Sequence, residues 1–305
     1  MSVDSGSIII ALTSLFAATV TGALGYGYSS ITVPISLLVT TSRLLNPALV
    51  LVETAVNLYA LFLGRHAIRR VWPLVAPVAL GILPGVAVGS LVLASISPEW
   101  AKLVTYTTLL PLILIQTAGI RIPINRVRAV GLPFGAGVGM LFSLTTISGP
   151  PLALYFNNQS MPKDDFKVAL ALSRSIESAS TLVAYTALGM ITRESTTLVG
   201  YLAPGVLVGM PLGFIVIKHI EPELFRRICM SFDAWLVGFG MSRVVNQLGL
   251  LPTVWAFQVL TLTLIIDALL LRTFFRSLRP GARPIRIAWR APGDGPVRPE
   301  VGQGR

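Results

Sequence analysis

Residues 139 to 157, Gly139-Met-Leu-Phe-Ser-Leu-Thr-Thr-Ile-Ser-Gly-Pro-Pro-Leu-Ala-Leu-Tyr-Phe-Asn157, set hydroxyl side chains and a Ser148-Gly149-Pro150-Pro151 interruption inside an apolar run. Proline removes a backbone donor and glycine loosens the helix, so backbone groups around the interruption lose their intrahelical partners. Hydrocarbon supplies no substitutes, and such a break persists in a membrane only where protein buries it or a cavity borders it. The stretch is therefore the first candidate for a binding site. About 120 residues earlier, Gly22-Ala-Leu-Gly-Tyr-Gly-Tyr-Ser-Ser-Ile-Thr-Val-Pro34 repeats the theme. Two such breaks suggest two halves of one site.

Composition sets the surroundings. The 305 residues are 53% hydrophobic and only 12% charged, against about 25% charged in soluble domains, so the chain reads as an all-α polytopic membrane protein. With Cys229 as the one cysteine and His66 and His219 as the two histidines, an intramolecular disulfide framework is excluded and no metal or other cofactor is expected. The net charge of +11 comes from 24 Lys and Arg against 13 Asp and Glu, with eight arginines in the last 34 residues. In a membrane protein this charge orients the chain and meets anionic lipid, and no nucleic-acid partner is inferred. No Lys or Arg precedes the first apolar run, so no signal peptide is read and that segment is expected to stay.

Apolar segments cover residues 8–42, 46–64, 73–96, 100–120, 129–158, 166–190, 196–217, 223–245 and 252–275. Seven are near the roughly 20 residues that cross a bilayer. The first and fifth would be some 45 to 50 Å long as straight helices at about 1.5 Å per residue, and each is broken near its middle. Each is either one long broken span or a hairpin that enters and leaves on one side. Pro84-Gly-Val-Ala-Val-Gly89 recurs as Pro204-Gly-Val-Leu-Val-Gly209, and Ser97-Pro-Glu-Trp100 recurs loosely as Glu221-Pro-Glu-Leu224. The pattern reads as a tandem duplication, residues 8–121 and 129–245, with 252–275 as an extra helix.

Lys and Arg in short loops favour the cytoplasm. Five basic clusters begin at Arg65, Arg121, Lys163, Lys218 and Arg272. Nine simple spans cannot place all five inside, whereas hairpins at the first and fifth segments do. Each repeat then has a hairpin and three full spans, an odd number, so the second is inverted relative to the first. Inverted repeats with paired broken segments are a transporter signature. Residues 1–275 are accordingly read as one transmembrane domain and 276–305 as a basic, disordered cytoplasmic tail. The expected location is a bacterial plasma (inner) membrane, with the C-terminus cytoplasmic and the N-terminus outside. Self-association is left open.

The Gly-rich opening of each repeat, the Ile147-Ser-Gly-Pro-Pro-Leu-Ala-Leu-Tyr155 segment and the Pro-Gly-x-x-x-Gly helices resemble the TauE/SafE family of sulfite and organosulfonate exporters over nearly all of residues 8–245. Tyr28-Ser29 follows Gly27 where the family has a Gly-Gly-Gly run. The resemblance implies secondary transport of a small sulfur-containing or carboxylate anion, in the export direction.

A small oxyanion inside a membrane needs several short donors, which helix N-termini and hydroxyls supply. The candidates are Ser29 and Ser30, with Thr32, in one break and Thr145, Thr146, Ser148 and Gly149, with Ser143, in the other. Small hydroxyl residues also mediate helix packing. Arg174, inside the sixth segment, is the counter-charge candidate, because intramembrane charge marks function by default. Glu177 shares its helical face three residues on. A repeat shift of 121 sets Glu53 opposite Arg174 and Asn57 opposite Ser178, and a pseudo-twofold would bring Glu53 and Arg174 together. Glu53 and Glu177 are the candidates for proton coupling, itself left open against a packing ion pair. Asp267, on the unrepeated helix, suits a structural role; Asp233, Gln116 and Tyr155 are weaker candidates. The reading is an alternating-access carrier whose partners are a small anion and lipid. Its rivals are an anion channel, an intramembrane enzyme and a scaffold. The enzyme is disfavoured by the lack of His-Glu-x-x-His or a Ser-His set.

Overall fold

The structure is a computed structural model that describes residues 5–24, 27–118, 127–157, 159, 161–216 and 222–277, and every regular element among them is helical. The helices are α1 (Ser5–Leu24), α2 (Tyr28–Ser36), α3 (Ser42–Leu63), α4 (Ile68–Ser95), α5 (Pro98–Ala118), α6 (Val127–Thr145), α7 (Gly149–Asn157), α8 (Lys163–Ala187), α9 (Arg193–Val216), α10 (Pro222–Gln247), α11 (Thr253–Ala256) and α12 (Gln258–Ser277). A long helix, a nine-residue helix and three long helices follow one another twice, with α2 and α7 as the short members. Arg121, Lys218 and the tail beyond Ser277 lie outside the described residues.

Five of these helices, within Gly6–Ala23, Ser42–Leu63, Arg65–Ser95, Arg193–Val216 and Thr253–Thr273, are long and apolar enough to cross a membrane. α8 has the length, at 25 residues, but carries Ser173, Arg174, Ser175, Glu177, Ser178 and Thr181, all buried. Its polar face is turned inward against α3 and α4. Elsewhere large apolar side chains point outward, Leu80 at 64%, Leu207 at 76% and Val183 at 69% exposure. Water would penalise such a surface, and lipid accepts it. The molecule is a multi-pass membrane protein turned polar side in at its centre.

Two tight seams hold the bundle, α4 against α6 and α1 against α9. A Cβ at Gly85 would sit 2.1 Å from the Ala136 carbonyl oxygen, and one at Gly205 would sit 2.7 Å from the Leu15 nitrogen, so only glycine allows these backbone approaches. Dispersion contacts over such surfaces replace the hydrophobic effect that lipid withholds. The second glycine of each recurring motif does the same: Gly89 faces Met140 and Gly209 faces Leu15 and Ala18.

The seams also give direction. Gly205 faces Leu15 while Gly213 faces Thr19 and Ala23, so α1 and α9 run parallel; Gly81 faces Leu132 while Gly89 faces Met140, so α4 and α6 do too. α3 and α8 are antiparallel, since Gly64 faces Val168 while Glu53 meets Arg174 nearer the middle of both. At one end of the bundle Arg43 Nη2 donates to the carbonyls of Ala94 (2.9 Å) and Ile96 (2.7 Å), and Lys102 Nζ donates to that of Leu37 (2.8 Å). That end holds the starts of α1, α3, α5 and α9 together with the finish of α2. At the other end Arg70 pairs with Asp165 at 2.8 Å, joining the starts of α4 and α8, and α6, parallel to α4, starts there too.

Candidate functional site

Glu53 and Arg174 occupy the middle turns of α3 and α8, where the two helices cross. Arg174 Nη2 donates to Glu53 Oε1 at 3.2 Å, and the two side chains are 9% and 2% exposed. Ser29, in the first turn of α2, donates its hydroxyl to the same carboxylate oxygen. On the far side of Arg174, Ser148, the residue before α7, donates to Glu177 Oε2 at 2.5 Å. The two breaks thus converge on one buried charge cluster. Arg174 pairs with Glu53 and not with Glu177, although Glu177 lies one helical turn from it. The matched hydrogen bonds, Ser29 to Glu53 and Ser148 to Glu177, make the two glutamates counterparts of each other. The shift of 121 residues instead aligns Glu53 with Arg174.

Each break is stabilised locally. Gly27, at φ 110°, turns the chain into α2. At the second break the last turn of α6 leaves four carbonyls without intrahelical donors, and each finds one. Phe142 O accepts from Thr146 N (2.6 Å), Ser143 O from the Tyr185 hydroxyl, Leu144 O from Asn46 Nδ2 (2.7 Å) and Thr145 O from Thr146 Oγ1 (2.7 Å). Thr146 holds φ 58°, the one positive φ at a non-glycine among the described residues, and its hydroxyl is turned onto the Thr145 carbonyl at 2.7 Å. The Thr145 hydroxyl also accepts from Ile147 N at 3.1 Å. Thr145 and Thr146 are therefore engaged in holding the break open, while Ser30 and Gly149 are buried beside the two helix starts.

A cavity of about 280 Å³, mouth included, lies against the ion pair and is lined by Tyr28, Glu53, Asn57, Arg174 and Met210 among others. Asn57 Nδ2, Arg174 Nε and Glu53 Oε2 are buried without a hydrogen-bond partner among the described residues. A buried polar atom left so costs roughly 1–3 kcal/mol, which makes the wall of this cavity receptive to a polar guest. Ser148 and Glu177 do not line it. Asn57, Tyr28, Asn46 and Tyr185 are the residues that sequence reasoning passed over as site members. Asn57 carried a signal, standing one turn after Glu53 on the same face. Asp267 accepts from Ser231 Oγ and Trp235 Nε1, both at 2.9 Å, and so docks α12 on α10. Both carboxylate oxygens of buried Asp233 lack a partner among the described residues.

The profile of the family described as "Sulfite exporter TauE/SafE" matches residues 10–241. A curated protein of Cupriavidus necator, "Probable sulfite/organosulfonate exporter TauE", is 29% identical over 181 residues, which make up 56% of this chain and 67% of that protein. No solved structure matches the chain.

Proposed function

The chain belongs to the sulfite exporter TauE/SafE family, and on that basis we propose that it exports a small anion, sulfite or an organosulfonate, by alternating access. The observation that carries the mechanism is the occupancy of the donors. Ser29 and Ser148 are short, buried donors at two helix starts, and Arg174 brings a buried cation from the middle of α8, the equipment for an oxyanion; each of them here holds one of the chain's own carboxylates. Glu53 and Glu177 act as resident anions. A substrate oxyanion entering beside Asn57 competes with them for the same hydrogen bonds, and a proton taken up by a glutamate releases its donor. Anion and proton therefore travel together. Ser30, Thr145, Thr146 and Gly149 shape the two breaks around the bound anion.

An inverted repeat, residues 8–121 and 129–245 with helix 252–275 outside it, is the architecture we assign to this carrier. Its support is the element order that recurs, the exchange of partners in the α1–α9 and α4–α6 seams, and the approach of the two broken segments from opposite ends. Arg65, Arg69, Arg70 and Lys167 gather at one end, which supports reading that end, and with it the basic tail 276–305, as cytoplasmic. The family is one of exporters, so the charge cluster is read as a carrier site and not as a catalytic one.

Sulfite flux into proteoliposomes tests the site. Arg174→Ala is expected to abolish saturable flux and counterflow, and Ser148→Ala to lower flux about tenfold, the effect of losing one charge-assisted hydrogen bond of about 1.5 kcal/mol. Unchanged transport in both variants at normal abundance would overturn the assignment.

A further inference from the structure

A second cavity, of about 240 Å³ with its open mouth included, lies at the end of the bundle where α2 finishes, lined by Leu37, Lys102, Tyr106, Gly240, Arg243 and Gln247 among others. Two cations share it. Lys102, from the first turns of α5, spends one of its three donors on the Leu37 carbonyl at 2.8 Å. Arg243, near the end of α10, is exposed and makes no ion pair or hydrogen bond among the described residues. The two charges stand close enough to repel, and Glu99 attracts Lys102 from the side. Glu99, one turn before Lys102, is exposed and forms no ion pair with it. Gly240 has no side chain where the Tyr106 ring crosses α10, since a Cβ there would lie 2.4 Å from Tyr106 Cζ. The ring forms the cavity floor, and its hydroxyl donates to the Pro34 carbonyl at 3.2 Å.

Two like charges facing one small cavity, with neither of them ion-paired among the described residues, cost free energy, and an anion between them turns the repulsion into two attractions. We infer that this cavity is a second anion site, for a compact oxyanion held by Lys102 Nζ and the Arg243 guanidinium, with the Gln247 amide as a neutral donor. It lies at the opposite end of α2 from Ser29. Nine residues at about 1.5 Å each separate the ends by about 13 Å. The site is thus a vestibule for the central one, on the face where α1, α3 and α5 begin. It also takes hold of α2 through Leu37 and Pro34.

Equilibrium binding of radiolabelled sulfite to the purified full chain at low ionic strength, up to about 10 mM because a rim site of this kind binds near the millimolar range, tests it. The choice of sulfite rests on the proposed transport function. The wild type is expected to bind two equivalents, Arg243→Gln one, Arg174→Ala one, and the double variant none, with Arg243→Lys keeping two. Arg243 is exposed and unbonded, so its replacement leaves the fold intact. Retention of both equivalents in Arg243→Gln, or a single equivalent in the wild type that Arg174→Ala removes, overturns the inference, as does absence of binding altogether. Loss in Arg243→Gln with no loss in Arg174→Ala leaves the vestibule standing and rejects the central site instead.

Discussion

Glu53 and Arg174 hold each other at 3.2 Å with both side chains buried. Removing one member of such a pair strands the other, which costs about 3–5 kcal/mol, whereas removing both is far cheaper. Glu53→Ala is therefore expected to lower the detergent-solubilised melting temperature severely, and Glu53→Ala with Arg174→Ala to recover much of the loss. Strict additivity of the two single losses would show that the residues do not depend on each other. The existence of this cluster was legible in the sequence, because Arg174, Glu177 and Glu53 are charges inside apolar runs and lipid tolerates these only for a reason. Their pairing was legible only through the repeat: the shift of 121 sets Glu53 opposite Arg174, and the two do meet at 3.2 Å. Helical spacing on α8 alone points to Glu177 beside Arg174, because it says nothing about a carboxylate delivered from another helix. The hydroxyls were ambiguous. Ser29 and Ser148 reach the carboxylates, while Thr145 and Thr146 turn back on their own backbone, and a Thr in a break reads the same either way.

At the scale of the element, the second break survives because other helices complete it. Asn46 from α3 and Tyr185 from α8 cap the last carbonyls of α6, so the interruption is a joint product of three helices. Tyr185→Phe keeps the ring and its packing but leaves the buried Ser143 carbonyl without a donor, a loss of about 1–3 kcal/mol. Hydrogen exchange should then rise locally over residues 143–148 and not in α9 or α12; uniform protection equal to the wild type would mean that the hydroxyl is dispensable. Glycine and proline announce the break in the sequence, since both disrupt a helix by covalent structure alone. Asn46 and Tyr185 do not announce their part, because a lone polar residue in an apolar helix gives no sign of which carbonyl it will meet. The same limit applied to the seams. The Pro-Gly-x-x-x-Gly repeats foretell close approach, yet the partners, α6 for α4 and α1 for α9, come from separate stretches of the chain.

Across the whole molecule the ends of the helices carry the strongest expectation. α1 starts, and α2 finishes, at the end marked by the Arg43 and Lys102 hydrogen bonds, while α6 and α8 both start at the end marked by Arg70 and Asp165. The loop charges point to the same division, because Lys and Arg clusters are visible in one dimension and the cytoplasm retains them. A first segment that crossed the bilayer as one long helix would put its two ends on opposite faces; a segment that turns back at Gly27 keeps them on one. The lone cysteine, Cys229, makes this measurable on a Cys229→Ser background with a membrane-impermeant maleimide and single cysteines introduced in intact cells. Ser7→Cys, Val39→Cys and Glu194→Cys are expected to label from outside, and Arg69→Cys and Asp164→Cys only after the membrane is opened. Labelling of Ser7→Cys and Val39→Cys from opposite faces would refute the re-entrant arrangement. With it would go the route by which Ser29 reaches Glu53 at mid-bundle, since only a chain that folds back brings Tyr28 within the 2.8 Å hydrogen bond it makes to Ser14.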